Sequence, residues 1–300
     1  WPMRWAYHGI DFEAAGKDHH TAGGSWDTAV PLAREIFGVE PPTTLKYDWI
    51  NVRGVGTMAS SRGQLISAAD ALEVYQPEVV RYLFARSRPD REFEISFDLD
   101  VLKTYEDYDR ASRVRSGMES VSTSRRELET RATELSQVSP DSPQLESEEI
   151  PFRHLCNLLQ IRDGDVDSVV ESLRDDAARQ RHYHRAYCAW SWITTHAPEE
   201  FRFRLRDPDM SSVPVRPVVA NAVADLRDLL GSGKAAESKA LHKAIYDLAD
   251  SHGMQAREFF SELYQILISK NHGPRLAEFI LTIGIARIDV LLANVTVSDE

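Results

Sequence analysis

The spacing of apolar positions changes once along the chain, near residue 99. Up to residue 98, short β-prone pieces (RWAYHGI, LKYDWINV, FEISFD) alternate with helical patterns (SWDTAVPLAREIFG, PEVVRYLFARS) and glycine-rich turns, the rhythm of an α/β sheet fold. From Leu99 onward the strands stop. A long charged segment of helical composition, LDVLKTYEDYDRASRVRSGMESVSTSRRELETRATEL, runs into SQVSPDSPQLESEE, a proline- and serine-rich linker. Amphipathic patterns follow: PFRHLCNLLQI, DVDSVVESLRDDA, QRHYHRAYCAWSWITTH, VANAVADLRDLL, REFFSELYQILI and LAEFILTIGIARIDVLL. Val219, Val223, Leu226 and Leu230 share one helical stripe, and Phe260, Leu263 and Leu267 another. Between them LRDPDMSSVPVRP cannot continue a helix, because proline has no N–H to donate. The pattern predicts an α/β part over 1–98 and an all-α part over 99–300 that closes as a helical bundle or cage.

Composition narrows this picture modestly. Of 300 residues, 42% are hydrophobic, and no apolar run approaches the roughly 18 to 20 residues a membrane span needs, so a soluble, cytoplasmic chain with no membrane partner is expected. A formal charge of −12 argues against a surface coated by nucleic acid, DNA included, while leaving room for a local basic face. Cys156 and Cys188 lack CxxC spacing and read as buried thiols. The opening WPMRWAYHGIDFE has neither an initiator methionine nor a charged-then-apolar leader pattern, so the chain reads as starting inside a domain.

Three constellations could carry chemistry. In EAAGKDHHTAGGSWD, Gly16, Asp18, His19 and His20 follow an expected strand, and a glycine pair precedes a helix. Such a turn at the carboxyl edge of a parallel sheet lets backbone approach ribose or phosphate, and a helix N-terminus favours anions. A solvated turn capped by Asp18 and Ser25 explains the same residues. Adjacent histidines rarely face one ion, so no metal site is assigned. In GVGTMASSRGQ, Ser60 and Ser61 can donate to phosphate oxygens and Arg62 can neutralise charge as pyrophosphate leaves, with Gly54, Gly56 and Gly63 as hinges. The GxxxxGK spacing of a Walker loop is absent, and a surface loop without a role fits the composition as well. In ARQRHYHRAYCAWSWITTH, Tyr183, Tyr187 and Trp190 recur at i, i+4 and i+7 and read as core, whereas Arg181 and Arg185, with His184, fall on another face as phosphate contacts or a solvated surface.

Taken in order, WPMRW, DFEAAGKDHHTAGGSWD, EIFGVEPP, YDWINVRGVGTMASSRGQLIS and LEVYQPEVVRYLFARSRPDREFEISFD resemble the second half of the catalytic domain of class I lysyl-tRNA synthetases, the archaeal and bacterial type. The resemblance continues through PFRHLCNLLQIRDGD and FFSELYQILISKNHGPRLAEFI. It implies a Rossmann-type half-domain over 1–98 and an α-helical connective and anticodon-binding region over 99–300. MASSRGQ stands where the family has a loop close to MSSSKGN, its version of the KMSKS loop. By this resemblance Gly16, Asp18, Met58, Ser60, Ser61 and Arg62 lie at ATP, with Ser60, Ser61 and Arg62 catalytic, while His19 and Tyr47 hold lysine. Arg181 and Arg185 are then candidates for tRNA(Lys).

The implied reaction has two steps. The lysine carboxylate attacks the α-phosphate of ATP with Mg2+ present, giving lysyl-adenylate and pyrophosphate, and the terminal ribose hydroxyl of tRNA takes the lysyl group. Ala59, Arg62 and Gln64 depart from the family loop, and arginine for lysine exchanges a compact ammonium for a planar fork. No HxGH-like string occurs. The chain therefore reads as a fragment that lacks the HIGH half, is inactive in adenylation alone, and self-associates through its uncovered half-sheet. A related class I paralogue and a non-catalytic tRNA-binding module are the alternatives.

Overall fold

The computed structural model describes all residues except 54–55, 58–65, 139–149, 174–178, 210 and 299–300. The chain divides into two compact units, Trp1–Glu149 and Ile150–Glu300.

The first unit begins with helix α1 (Pro2–His8), strand β1 (Phe12–Gly16), a 3-10 turn (Lys17–His20) and helix α2 (Ser25–Glu35). RWAYHGI, expected as a strand, is thus helical: Pro2 supplies a preset φ at the first helical position, and Gly9, at φ 60°, ends the helix in the left-handed conformation. Strand β2 (Thr43–Tyr47) pairs parallel with β1, Phe12 opposite Thr43 and Gly16 opposite Tyr47. LKYDWINV breaks at Asp48 and Trp49 into β2 and β3 (Ile50–Val52), and β3 pairs antiparallel with β4 (Gly56–Thr57).

Helix α3 (Ala68–Val74) starts at a Ser67–Asp70 capping box, and α4 (Pro77–Arg86) again has proline at its first position. Strand β5 (Phe93–Ile95) pairs parallel with β3. The charged segment forms α5 (Asp100–Arg115) and α6 (Thr123–Ser136), which pack on α4 within the first unit. Specific bonds hold them there. The Tyr105 hydroxyl donates to Val74 O at 3.1 Å and accepts from Gln76 N at 3.0 Å. Tyr82 donates to Glu129 Oε2 at 2.9 Å, and Arg81 donates to Leu135 O at 2.9 Å and Ser136 O at 3.2 Å, satisfying carbonyls that the end of α6 leaves without helical partners.

The second unit contains α7 (Phe152–Ile161), α8 (Val166–Glu171), α9 (Arg179–Thr195), β6 (Val213–Val215), α10 (Pro217–Gly231), α11 (Ser238–Ser251), α12 (Ala256–Ile268), α13 (Leu276–Ile283), α14 (Ile285–Ala293) and β7 (Val295–Val297). Strands therefore do not stop at Leu99. The VPV stretch inside the proline-rich loop pairs parallel with β7, Val213 opposite Val295. The expected stripe of Val219, Val223, Leu226 and Leu230 is buried and joins Leu241, Ile245, Leu263, Leu267 and Ile280 in one core. On α12 the buried aromatics are Phe259 and Tyr264, while Phe260 is only partly covered. Both cysteines are buried and outside any disulfide, and burial raises the Cys156 thiol pKa well above its usual value.

Candidate functional site

Parallel pairing of β1 with β2 brings their carboxyl ends, Gly16 and Tyr47, side by side. A Cβ placed on Gly16 would lie 3.6 Å from Tyr47 Cε2 and 3.9 Å from His19 Cδ2, so the bare backbone of Gly16 sits between a phenol ring and an imidazole. Three predicted site residues, Gly16, His19 and Tyr47, thus converge at one sheet edge, with the Tyr47 side of the cluster open: that residue is 45% exposed. Asp18, next to them in the 3-10 turn, is exposed, and its main-chain carbonyl accepts from the Thr21 hydroxyl at 2.7 Å.

The turn is held from beneath. The Thr44 hydroxyl donates to Glu13 O at 2.9 Å and lies 3.0 Å from His20 Nε2, and His20 Nδ1 lies 3.3 Å from Gly16 O. His20 also stacks on Trp26, centroids 5.0 Å apart, and is therefore a structural pin, while its neighbour His19 faces outward. The Glu13 carboxylate bonds Arg4 and accepts from Trp5 Nε1 at 3.1 Å, tying α1 to β1. Hydrogen bonding to Arg4 holds its pKa below the usual carboxylate range. Gly24 caps α2, so neither Asp18 nor Ser25 does. A Cβ at Gly24 would meet His19 O at 2.6 Å, Thr21 O at 2.8 Å and Asp18 O at 3.0 Å, so only glycine lets α2 start this close to the turn. His19 Nδ1 lies 3.2 Å from Ser25 Oγ and its ring packs 5.1 Å from that of Trp1. These residues line a cavity of about 420 Å³ with Pro2, Thr28, Ala29 and Leu32.

Lys17 and Asp48 form an ion pair at 2.7 Å across the two strand ends. Hydrogen bonding to Asp48 raises the Lys17 pKa. The same bond, aided by the Trp49 backbone N–H, lowers that of Asp48. Sequence reasoning assigned Lys17 no role and missed Asp48, Thr44 and Glu13. Their partnerships span about thirty residues and exist only through the β1–β2 register, which no local pattern states.

Comparison with known proteins bears on this turn directly. The family model for tRNA synthetases class I (K) matches residues 1–139. A lysine–tRNA ligase of Treponema pallidum is 42% identical over 299 residues, covering 98% of this chain and 56% of its own length. Those of Borreliella burgdorferi and Thermococcus kodakarensis are 40% and 34% identical, over 57% and 56% of their lengths. Residues 1–139 are thus similar to the class I tRNA synthetase (K) family, and nearly the whole chain is similar to these ligases. The chain spans a little over half the length of the curated relatives it matches.

Met58, Ser60, Ser61 and Arg62 lie outside the described residues, which resume at Ile66 after β4. On α9 the structure corrects two readings. Arg185 is fully buried, its guanidinium 5.9 Å from the centre of the Phe152 ring, and so does not present a charge to phosphate. Its position beside Ala186 and Ala189 on the inward face puts it in the interior. Tyr187, assigned to the core stripe, is 58% exposed. The buried face runs instead through His182, Ala186, Cys188, Ala189, Trp192 and Ile193, rotated by about one residue, or about 100°, from the aromatic spacing used to choose it. Arg181 is half-buried and His184 exposed. Among the described residues no cluster of three or more metal-ligating side chains occurs, and no helix is long and apolar enough to cross a membrane.

Proposed function

We propose that this chain carries part of a cytoplasmic lysine–tRNA ligase: the carboxyl-side half of its nucleotide-binding fold over 1–98 and its connective and anticodon-binding helices over 99–300. The observation that supports it most is the juxtaposition of Gly16, His19 and Tyr47 at the carboxyl edge of β1–β2, the position where open parallel sheets bind ligands, in a chain 42% identical to a lysine–tRNA ligase.

Gly16 and Asp18 face the nucleotide, the first by close backbone approach and the second by accepting from a ribose hydroxyl. His19 and Tyr47 receive lysine, the phenol ring lying along its aliphatic stem. Met58, Ser60, Ser61 and Arg62 close over ATP, whose triphosphate arrives with Mg2+; Ser60, Ser61 and Arg62 donate to the phosphate oxygens as charge moves onto pyrophosphate. No protein base is needed, since the lysine carboxylate is already an anion. Positioning and charge stabilisation do the work. Arg181 is retained as a contact to tRNA(Lys).

The test is lysine-dependent ATP–pyrophosphate exchange by the product of the complete open reading frame. Exchange with lysine, and its loss of about a hundredfold or more in Arg62→Ala, is the expected result. Binding of tRNA(Lys) without exchange would replace the ligase reading with a tRNA-binding module, and exchange with a different amino acid would move it to a paralogue.

A further inference from the structure

The 3-10 turn Lys17–His20 is fastened to strand β2 at both of its ends. At one end His20 Nε2 lies 3.0 Å from the Thr44 hydroxyl. At the other, Lys17 Nζ lies 2.7 Å from Asp48 Oδ1. His19 stands between these two fastenings, and Tyr47 closes the strand that carries the first of them and leads straight into the second.

The Lys17–Asp48 pair carries on the cross-strand pairing where the backbone ladder has run out. The β1–β2 register ends with Gly16 opposite Tyr47, and Lys17 and Asp48 are the next residues along the two strands. Past that point one backbone enters the 3-10 turn and the other leaves for β3, so a side-chain contact is needed to hold the two ends together. Asp48 is itself placed from two further sides. Its N–H donates to Pro89 O at 2.8 Å, and its Oδ1 also accepts from Trp49 N at 2.7 Å. The Lys17 and Asp48 side chains are 36% and 21% exposed, and a pair so open to water contributes little to stability. Placement is a separate matter: where a reaction depends on positioning, a shift of about 1 Å can cost about a hundredfold in rate.

We infer, granted the lysine–tRNA ligase reading, that Lys17 and Asp48 are positioning residues for the amino-acid substrate: their pair fixes the spacing between His19 and Tyr47, the two side chains that receive lysine. Neither residue needs to touch the substrate. His19 and Tyr47 hold the amino acid both before and during attack on ATP, so a change in their spacing weakens ground state and transition state alike. The loss then falls on KM for lysine, with kcat little changed. A contact that served only to fold the turn would change the fraction of active enzyme instead, which lowers kcat and leaves KM as it was.

The experiment measures lysine-dependent ATP–pyrophosphate exchange by the product of the complete open reading frame at saturating ATP. Lys17→Met and Asp48→Asn are each expected to raise KM for lysine about tenfold, and the double variant no further than the worse single one, because both changes remove the same contact. Lys17→Arg and Asp48→Glu, which keep the charges, are expected to restore most of the affinity. A wild-type KM in either neutral variant, with or without a fall in kcat, overturns the positioning role and leaves the ligase reading intact. So do two increases that multiply in the double variant, since the side chains would then act separately. If the wild-type enzyme shows no exchange with lysine, the ligase reading falls and the positioning role with it.

Discussion

The strand–turn–helix region at residues 10–47 and the helical region at 217–293 are held together in different ways. In the helical region Val219, Leu226, Leu241, Ile245, Phe259, Leu263, Leu267 and Ile280 are completely buried in one continuous core. In the strand–turn region the buried side chains are small, Ala15, Ala29 and Ala33, while Phe12 and Leu45, on the same face of β1–β2 as Tyr47, are 57% and 44% exposed. What fixes that region is a set of directed polar contacts: Arg4 with Glu13, Thr44 with Glu13 O and His20, Lys17 with Asp48. A closed core tolerates crude chemistry as long as volume is kept. A turn that leaves aromatic surface open must hold its geometry by specific bonds.

The comparison can be broken most forcefully in the core. Leu226→Ala should lower stability by about 2 to 5 kcal/mol, the transfer and cavity terms for a buried leucine, read as a fall in the denaturation midpoint of the helical unit. A loss below about 1 kcal/mol would mean that the core is looser than its burial implies. Gly24→Ala comes next, at about 1 to 3 kcal/mol, because three main-chain carbonyls must move. Hydrogen exchange should speed up across residues 18–28 and leave 217–293 unchanged. Gly16→Ala is the control: its new Cβ meets only ordinary contacts at 3.6 Å and 3.9 Å, so stability should hold.

How much of this could be read in advance follows the same division. Periodicity located α10 and the Val219–Leu230 stripe, because a helix that buries one face must repeat its apolar residues. It failed on α9, where Arg185 and His182 are buried and Tyr187 is exposed; a residue-type pattern cannot say which polar groups an interior has accommodated. It also failed at RWAYHGI, where Pro2 and Gly9 outweighed the β-prone aromatics, and at β6–β7, whose pairing joins residues about eighty apart. In the candidate site, Gly16 and His19 were singled out by the strand-to-helix turn pattern and Tyr47 by family resemblance alone. The Lys17–Asp48 pair was not, since the register creates it.

Two smaller effects sharpen the contrast between buried and open chemistry. Desolvation pushes the Tyr264 hydroxyl up to about 12, and Tyr264→Phe should cost about 1 kcal/mol, the net value of its bond to Pro274 O. Because the folded pKa lies above the unfolded one, near 10, the folded state loses stability as pH rises between those values. A spectrophotometric titration should show one tyrosinate delayed to about pH 12 that disappears in the Tyr264→Phe variant.

The smallest effect belongs to Lys17 and Asp48, a pair in water rather than in a core, where entropy and screening offset most of the attraction. Its pH dependence nevertheless has a definite sign. The lowered Asp48 pKa contributes stability above the ordinary carboxylate range, lost as pH falls through the folded value. The raised Lys17 pKa contributes below the ordinary lysine range, lost as pH rises through its own. The pair therefore supports the turn across the neutral range and releases it at both extremes. Asp48→Asn should lower the urea midpoint slightly at pH 7, and the difference from wild type should vanish in acid. It should also shrink in high salt, whereas the Leu226→Ala deficit should not. A salt-independent Asp48→Asn effect would mean that the turn is held by packing like the helical core, and that the two regions do not differ in the way their burial suggests.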